Sequence, residues 1–401
     1  MTQNKPGNGP ARLVSLDALR GTIMLYMASH TFGLTKMAEK NSEPFWSELA
    51  WWFDHVAWTG CSTWDLIQPA FMFMVGVAFP YSWSRRQATG EATGRIIGHG
   101  LVRALILVLI AVFLASGAGG WTRWEFFNVL GQIGLGYPFL FLLVISQHGE
   151  KDRLKRQVVA LVVILVGYWL LFALYPVSWT PEELIQRGIS AEELSSGVML
   201  EGFFAHWSKY TNVAAAFDLW FLNLFPRQTP FLFNSGGYAT LSFIPSLGTM
   251  ILGLMAGELL RSERTERQKL RWLLVAGIGL TVIGLLAGMT VCPIIKRIWT
   301  PSWTLFSGGL VILLLAGYYW LIDLAGYRRW TFPLVVIGMN SIAIYMMSQL
   351  MRPWVTGRLQ THLGAELFNG IYAPIITDCL VLLVFWLVCW WMYRRRIFLK
   401  I

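Results

Sequence analysis

Charge is scarce in this chain. Asp, Glu, Lys and Arg make up only 13% of its 401 residues, where soluble globular domains carry about a quarter. A water-soluble fold is excluded on that ground, because too few polar side chains remain to cover its surface. Cysteine is scarce too: four residues, at 61, 292, 379 and 389, with no CxxC and no metal-ligand spacing. Zinc-ribbon and dithiol chemistry are therefore not expected, and no metal is. Cys61 and Cys292 both sit near span ends on one side, but a disulfide between them is not the expectation. HExxH, GxSxG, Walker A and EF-hand patterns are all missing. Any chemistry rests on scattered polar residues.

What is plentiful is apolar sequence, with 55% of residues hydrophobic. Runs of about 20 such residues, long enough to cross a bilayer, recur at roughly 13–34, 62–84, 96–117, 125–147, 154–176, 241–261, 270–291, 302–323, 332–351 and 372–393. The expected fold is an all-α polytopic membrane protein with about ten transmembrane helices. The net charge of +10 is a topology signal. Assigned to alternate sides, 20 Lys and Arg fall on the side of both termini and 10 on the other. By the positive-inside rule both termini are cytoplasmic, and no nucleic-acid partner is expected. The first run holds Asp17 and Arg20 and lacks a small-residue cleavage site, so it is expected to remain as the first span.

The chain reads as one transmembrane domain over 12–401 behind a polar, disordered cytoplasmic tail over 1–11. Cytoplasmic loops are short and basic, whereas the outer side owns two long loops, about 35–61 and 177–240. The second is expected to be structured: Thr180 before Pro181, with Glu182 and Glu183 following, has helix-start chemistry. Its aromatic residues, among them Trp207, Tyr210, Trp220 and Tyr238 with Asn234 between, suit a folded lid or an interfacial segment. Glycine strings at 131–137 and 277–288 are close-packing faces, serving either the monomer or a homodimer.

Ionisable residues inside or beside spans carry the functional signal. Asp17 and Arg20 are three apart and share a helix face. They form either a structural ion pair with Ser15 as cap or, through Arg20, an anion contact. The stretch FDHVAWTGCSTWDLIQP (53–69) gathers Asp54, His55 and Asp65 at the mouth of the second span, with His30 near the outer end of the first. Ser62 and Asp65 fit a helix start, and His55 beside carboxylates fits a general base. Pro69 is expected to kink the second span. Glu125, Glu258, Asp323 and Asp378 read as caps or snorkelling groups, and His99, His148, His206 and His362 have no partner in sequence.

RLVSLDALRG (12–21), together with HVAWTGCSTWDLIQPAFMFMVG (55–76), resembles the signature of heparan-α-glucosaminide N-acetyltransferase and its bacterial relatives. The likeness continues at NVLGQIGLGY (128–137), TLSFIPSLGTMILGLMAG (240–257) and IGMNSIAIYMMS (337–348). Ser15, Asp17, Arg20 and Gly21 match its first motif; His55, Trp58, Gly60, Asp65, Leu66, Pro69, Phe71, Phe73 and Gly76 match its second. Three family positions differ: Thr31 stands for an asparagine, Gln132 for an arginine and Ser348 for a histidine.

The resemblance implies a transmembrane acyltransferase that takes acetyl from cytoplasmic acetyl-CoA and delivers it to a glycan on the far side. The setting would be a bacterial inner membrane with the histidine periplasmic. It implies His55 as general base or acyl carrier, with Asp65 or Asp54 orienting it. Arg20 and Asp17 are expected to lie with the CoA thioester, joined by Asn340 and Ser341 as oxyanion donors. From the residues themselves, His30, Trp58, Trp220, Asn234 and Tyr238 are expected to lie with the acceptor, where Trp207, Tyr210, Trp220 and Tyr238 offer faces on which a sugar stacks. The alternative is a transporter or flippase of a glycan or lipid precursor, in which the same acid–histidine groups line a path.

Overall fold

A computed structural model describes residues 13–41, 43–117, 120–145, 149–177 and 179–399. The expected tail and His148 lie outside them. Every regular element among the described residues is helical. The main helices are α1 (Val14–Ala28), α2 (Ile67–Ala88), α3 (Thr93–Ala115), α4 (Val129–Val144), α5 (Glu150–Ala173), α6 (Val213–Phe221), α7 (Phe243–Arg261), α8 (Glu266–Thr290), α9 (Pro301–Tyr318), α10 (Phe332–Met339), α11 (Ser341–Leu350) and α12 (Ala373–Arg394).

Among the described residues seven helical stretches, built on α2, α3, α5, α7, α8, α9 and α12, are long and apolar enough to cross a membrane. They become eight if α10 and α11, bent by 68° at Asn340, form one broken span. The other two expected spans are shorter. α1 has 15 residues and α4 has 16, about 23 Å at 1.5 Å per residue. α1 ends where His30, Thr31 and Phe32 turn left-handed, at φ 51°, 62° and 51°. α4 begins only at Val129 because the Asn128 side chain accepts from the Gly131 N–H at 3.0 Å.

The bundle is inside-out relative to a soluble protein. Val162, Val163 and Val166 of α5 and Ile278, Val282 and Ile283 of α8 are exposed, whereas Ser246, Thr249, Ser302, Thr304 and Ser307 are fully buried between α7 and α9. Such hydroxyls return their hydrogen bonds to the helix backbone, as Ser307 does to the Trp303 carbonyl at 2.6 Å.

Backbone contact between helices sets the core. A β-carbon on Gly76 would fall 1.9 Å from the Met250 carbonyl oxygen, and one on Gly253 would fall 2.0 Å from that of Phe73. α2 and α7 therefore touch main chain to main chain. α1 and α10 do the same through Gly21 against Leu334 and Gly338 against Asp17. In the glycine strings, Gly284 packs against Phe306 and Gly134 against Ala104 within the chain, whereas Gly279 meets nothing within 4 Å.

Two local expectations change. Pro69 sits in the first turn of α2, where a missing N–H costs nothing, and bends no helix. The proline inside the helix is Pro80, whose carbonyl accepts from Arg261 at 2.8 Å. Ser15 does not cap α1: Asp323, from beyond α9, accepts the Val14 and Ser15 N–H groups at 3.2 Å each. Thr180 and Glu183 form a reciprocal capping box at the head of Pro181–Gln186, and Trp207 is fully buried against Phe172.

Candidate active site

Residues 53–66 form a tight loop leading into α2, and its shape is held from three directions. Gly60 adopts φ 109°, open to glycine and strained for other residues, while its N–H donates to the Ile294 carbonyl at 2.9 Å. Trp58 is 2% exposed and donates its indole N–H to the Trp207 carbonyl at 3.0 Å. Arg297 spans two segments, donating to the Val56 carbonyl at 3.1 Å and the Gly236 carbonyl at 2.6 Å. The segment between α8 and α9 thus clamps this loop to the 177–240 region.

Within that frame Asp65 is the hub. Its Oδ2 accepts from the Ser62 N–H at 3.2 Å, the Ser62 hydroxyl at 3.1 Å and the Val56 N–H at 3.3 Å. The Asp65 N–H returns a bond to Ser62 Oγ at 3.3 Å, the reciprocal arrangement of a helix start. Its other oxygen faces the chemistry. Oδ1 lies 2.7 Å from His55 Nδ1 and 3.2 Å from Lys296 Nζ. Capping and orientation are divided between the two oxygens. Asp65 and Lys296 side chains are 2% and 4% exposed, so the ion pair is buried and persists because the carboxylate is fully hydrogen-bonded.

His55 has one side committed. Nδ1 sits 2.7 Å from the Asp65 oxygen and 3.1 Å from Lys296 Nζ. A carboxylate only accepts, so Nδ1 carries the proton and donates to Asp65, while Lys296 donates to the same carboxylate. That tautomer leaves Nε2 with a lone pair and no hydrogen bond among the described residues. The side chain is 33% exposed. Burial lowers the imidazole pKa, assisted by the nearby Lys296 charge and opposed by the hydrogen bond to Asp65. The ring is a neutral, oriented base at neutral pH. Trp64 borders it, with ring centroids 6.5 Å apart. Cys61 next door is no rival nucleophile: burial first, then the Asp65 charge, pushes its thiol up to about 12.

The remaining expected residues separate into groups. Asp54 does not orient the imidazole; its Oδ1 accepts the His55 backbone N–H at 2.6 Å. Trp58, together with Trp207 and Tyr210, is buried packing and offers no open stacking face. Trp220 is 61% exposed and its ring contacts are Phe217 and Phe221. Tyr238 does lie near the site, 5.6 Å under Arg297, and Asn234 caps its turn by accepting the Tyr238 N–H at 3.1 Å. His30 pairs elsewhere, 3.6 Å from Asp378, which itself holds Arg352 at 2.5 Å.

Asp17 and Arg20, 3.8 Å apart on α1, share a level with Gly338. Asn340 follows at the α10–α11 bend and accepts the Leu399 N–H at 3.3 Å. Leu399 follows the far end of α12, whose start at Pro374 packs on Gly33. Asn340 and Ser341 are therefore at the opposite end of the bundle from His55, and an oxyanion role beside it does not fit. Cys61 and Cys292 are both free thiols, Cys292 contacting the Ser302 hydroxyl at 3.5 Å. Among the described residues no group of three His, Cys, Asp or Glu side chains could hold a metal.

Lys296 and Arg297 are the site residues that sequence reasoning missed. Their signal was faint but real: adjacent cations on the face that is otherwise poor in Lys and Arg, bracketed by CPII and WTPSW.

Fold and site together define an integral membrane protein with a polar His–Asp–Lys centre at one end of its helical bundle. Over 98% of its length the chain is 24% identical to human heparan-alpha-glucosaminide N-acetyltransferase, and it spans 60% of that protein's length. The chain is a distant relative of that enzyme. No family model matches it.

Proposed function

We propose that this protein is a transmembrane acyltransferase, moving an acetyl group from acetyl-CoA on the cytoplasmic side to a sugar hydroxyl or amine on the outer side of a bacterial inner membrane. The observation that carries this reading is the His55 geometry: Nδ1–H committed to Asp65, Nε2 open, and a pKa held low by burial. Such an imidazole takes a proton from an attacking nucleophile. The acceptor's oxygen or nitrogen attacks the thioester carbonyl as its proton passes to Nε2. The C–S bond then breaks, and the imidazolium returns the proton to the CoA thiolate. Asp65 stabilises the imidazolium while it exists.

The donor side rests on α1. Arg20 lies six positions before Tyr26, about 9 Å along the helix, and the Tyr26 hydroxyl contacts Thr63 in the His55 loop at 2.7 Å. A guanidinium at that depth suits a CoA phosphate or pantetheine oxygen, with Asp17 setting its rotamer and Asn340 and Ser341 completing the same end. Tyr238, Asn234 and the 177–240 region around them are the acceptor side. The test is transfer of labelled acetyl from acetyl-CoA to candidate glycans by purified protein. Transfer that survives His55→Ala at the wild-type rate would remove His55 from the mechanism.

A further inference from the structure

A large cavity lies far from His55. It holds about 940 Å³ and is lined by the last turns of α2, the first turns of α5 and α8, and the lower halves of α7 and α9. His55 and Asp65 precede α2, whereas the cavity begins at Pro80 and reaches Gln87. The two sites are thus at opposite ends of a helix about 33 Å long.

Its chemistry is divided by depth. The mouth carries Arg153, Arg261 and Arg264 against Glu258 and Glu263, an excess of one positive charge. The pit ends on Leu252, Leu280 and Ile312. Above the pit, Thr249, Trp299 and Trp303 are buried and joined by a 3.1 Å bond from Trp299 to Thr249, closing it from the His55 end. At the sides, Leu154 and Trp272 are 49% and 55% exposed on helices whose outer faces are otherwise apolar.

One side chain in it is unexplained by the fold. Gln157 is 0% exposed, yet among the described residues neither its amide nitrogen nor its oxygen has a partner, and the Nε of neighbouring Arg153 has none either. Buried amides left unpaired are costly, and native structures keep few. A ligand that brings both acceptors and a donor would satisfy all three atoms.

We propose that this cavity is a binding site for a membrane glycerophospholipid. An acyl chain fills the apolar pit, ester and phosphodiester oxygens accept from the Gln157 amide nitrogen and Arg153 Nε, and a hydroxyl of a glycerol headgroup, facing the arginines at the mouth, donates to Gln157 Oε1. The site is lateral, between the lipid-facing helices α5 and α8, where a bilayer supplies such a molecule directly. The closed floor and the absence of Asp17, Arg20 and Asn340 from the lining distinguish it from the proposed donor site, so it does not rest on the acyl-transfer reading.

The test is native mass spectrometry of the full-length, delipidated protein re-exposed to phosphatidylglycerol, with phosphatidylcholine and free CoA as separate arms. Wild type should retain one phospholipid per chain, and Arg153→Gln and Gln157→Leu should each reduce retention at least fivefold. Gln157→Leu carries a second signature. Without lipid its unfolding temperature should equal or exceed wild type, because an unpaired buried amide has been removed. Unchanged retention in both variants would overturn the proposal. So would CoA stabilising the lipid-free protein in a manner that Arg153→Gln abolishes, which would assign the cavity to the thioester.

Discussion

His55 Nδ1 and Asp65 Oδ1 are 2.7 Å apart, and this contact fixes which imidazole nitrogen is free. Replacing Asp65 by Asn keeps the size but offers an N–H to Nδ1, so the ring proton moves to Nε2 and the base is lost. Asp65→Asn should lower kcat by about 10²–10⁴-fold with little change in KM, the range expected for a mis-set tautomer. Asp54→Asn should stay within a few-fold of wild type. Steady-state kinetics on both variants checks the split.

The pH profile follows from the same contacts. The imidazole must be neutral to accept a proton, and its pKa lies below the usual value near 6.5. Activity should therefore hold through neutral pH and fall as pH drops through that lowered pKa. Lys296→Met removes a nearby positive charge, which raises the His55 pKa and moves the acid limb to higher pH. A limb that stays put or moves down in Lys296→Met would show that Lys296 does not act on the imidazole.

Lys296→Met also leaves Asp65 buried without its cation. Removing one partner of a buried pair costs about 3 kcal/mol or more, and the remaining hydrogen bonds to Ser62 and Val56 only partly offset it. The detergent-solubilised variant should unfold at lower temperature than wild type. Arg352→Met should do the same at a separate place, because it strips Asp378 of its 2.5 Å partner.

Helix contact through glycine predicts a graded series. Gly76→Val would drive side-chain carbon into the Met250 carbonyl, and the α2–α7 interface must separate, with a loss of about 3 kcal/mol or more. Gly94→Ala, whose added carbon meets nothing within 4 Å, should be neutral or slightly stabilising in α3. Melting temperatures of the two variants separate a steric interface from a general intolerance of substitution.

The sequence made the membrane class legible, because charge depletion and apolar runs are read without knowing the fold. Span number was less so. The first and fourth runs have enough apolar length, but residues 30–33 turn left-handed and Asn128 restarts the helix, and neither event has a signature in hydropathy. His55 and Asp65 were legible because they stand ten positions apart in one loop. Which carboxylate orients the ring was not, since Asp54 is adjacent in sequence and only the loop's closure turns it away. Lys296 arrives from 241 positions along the chain, and Asp323 reaches the start of α1 from 308 positions away. Such partners are set by helix packing alone. The aromatic residues of the 177–240 region misled in the opposite sense: Trp207 and Tyr210 read as a sugar platform, whereas they are the packing that holds the region down.

The most direct measurement is acetyl transfer across a membrane. Protein reconstituted in vesicles is supplied with labelled acetyl-CoA on one face and a glycan acceptor on the other, with wild type, His55→Ala and Asp54→Asn compared. The account predicts labelled glycan from wild type and Asp54→Asn, and none above background from His55→Ala. Equal labelling by His55→Ala and wild type would contradict it.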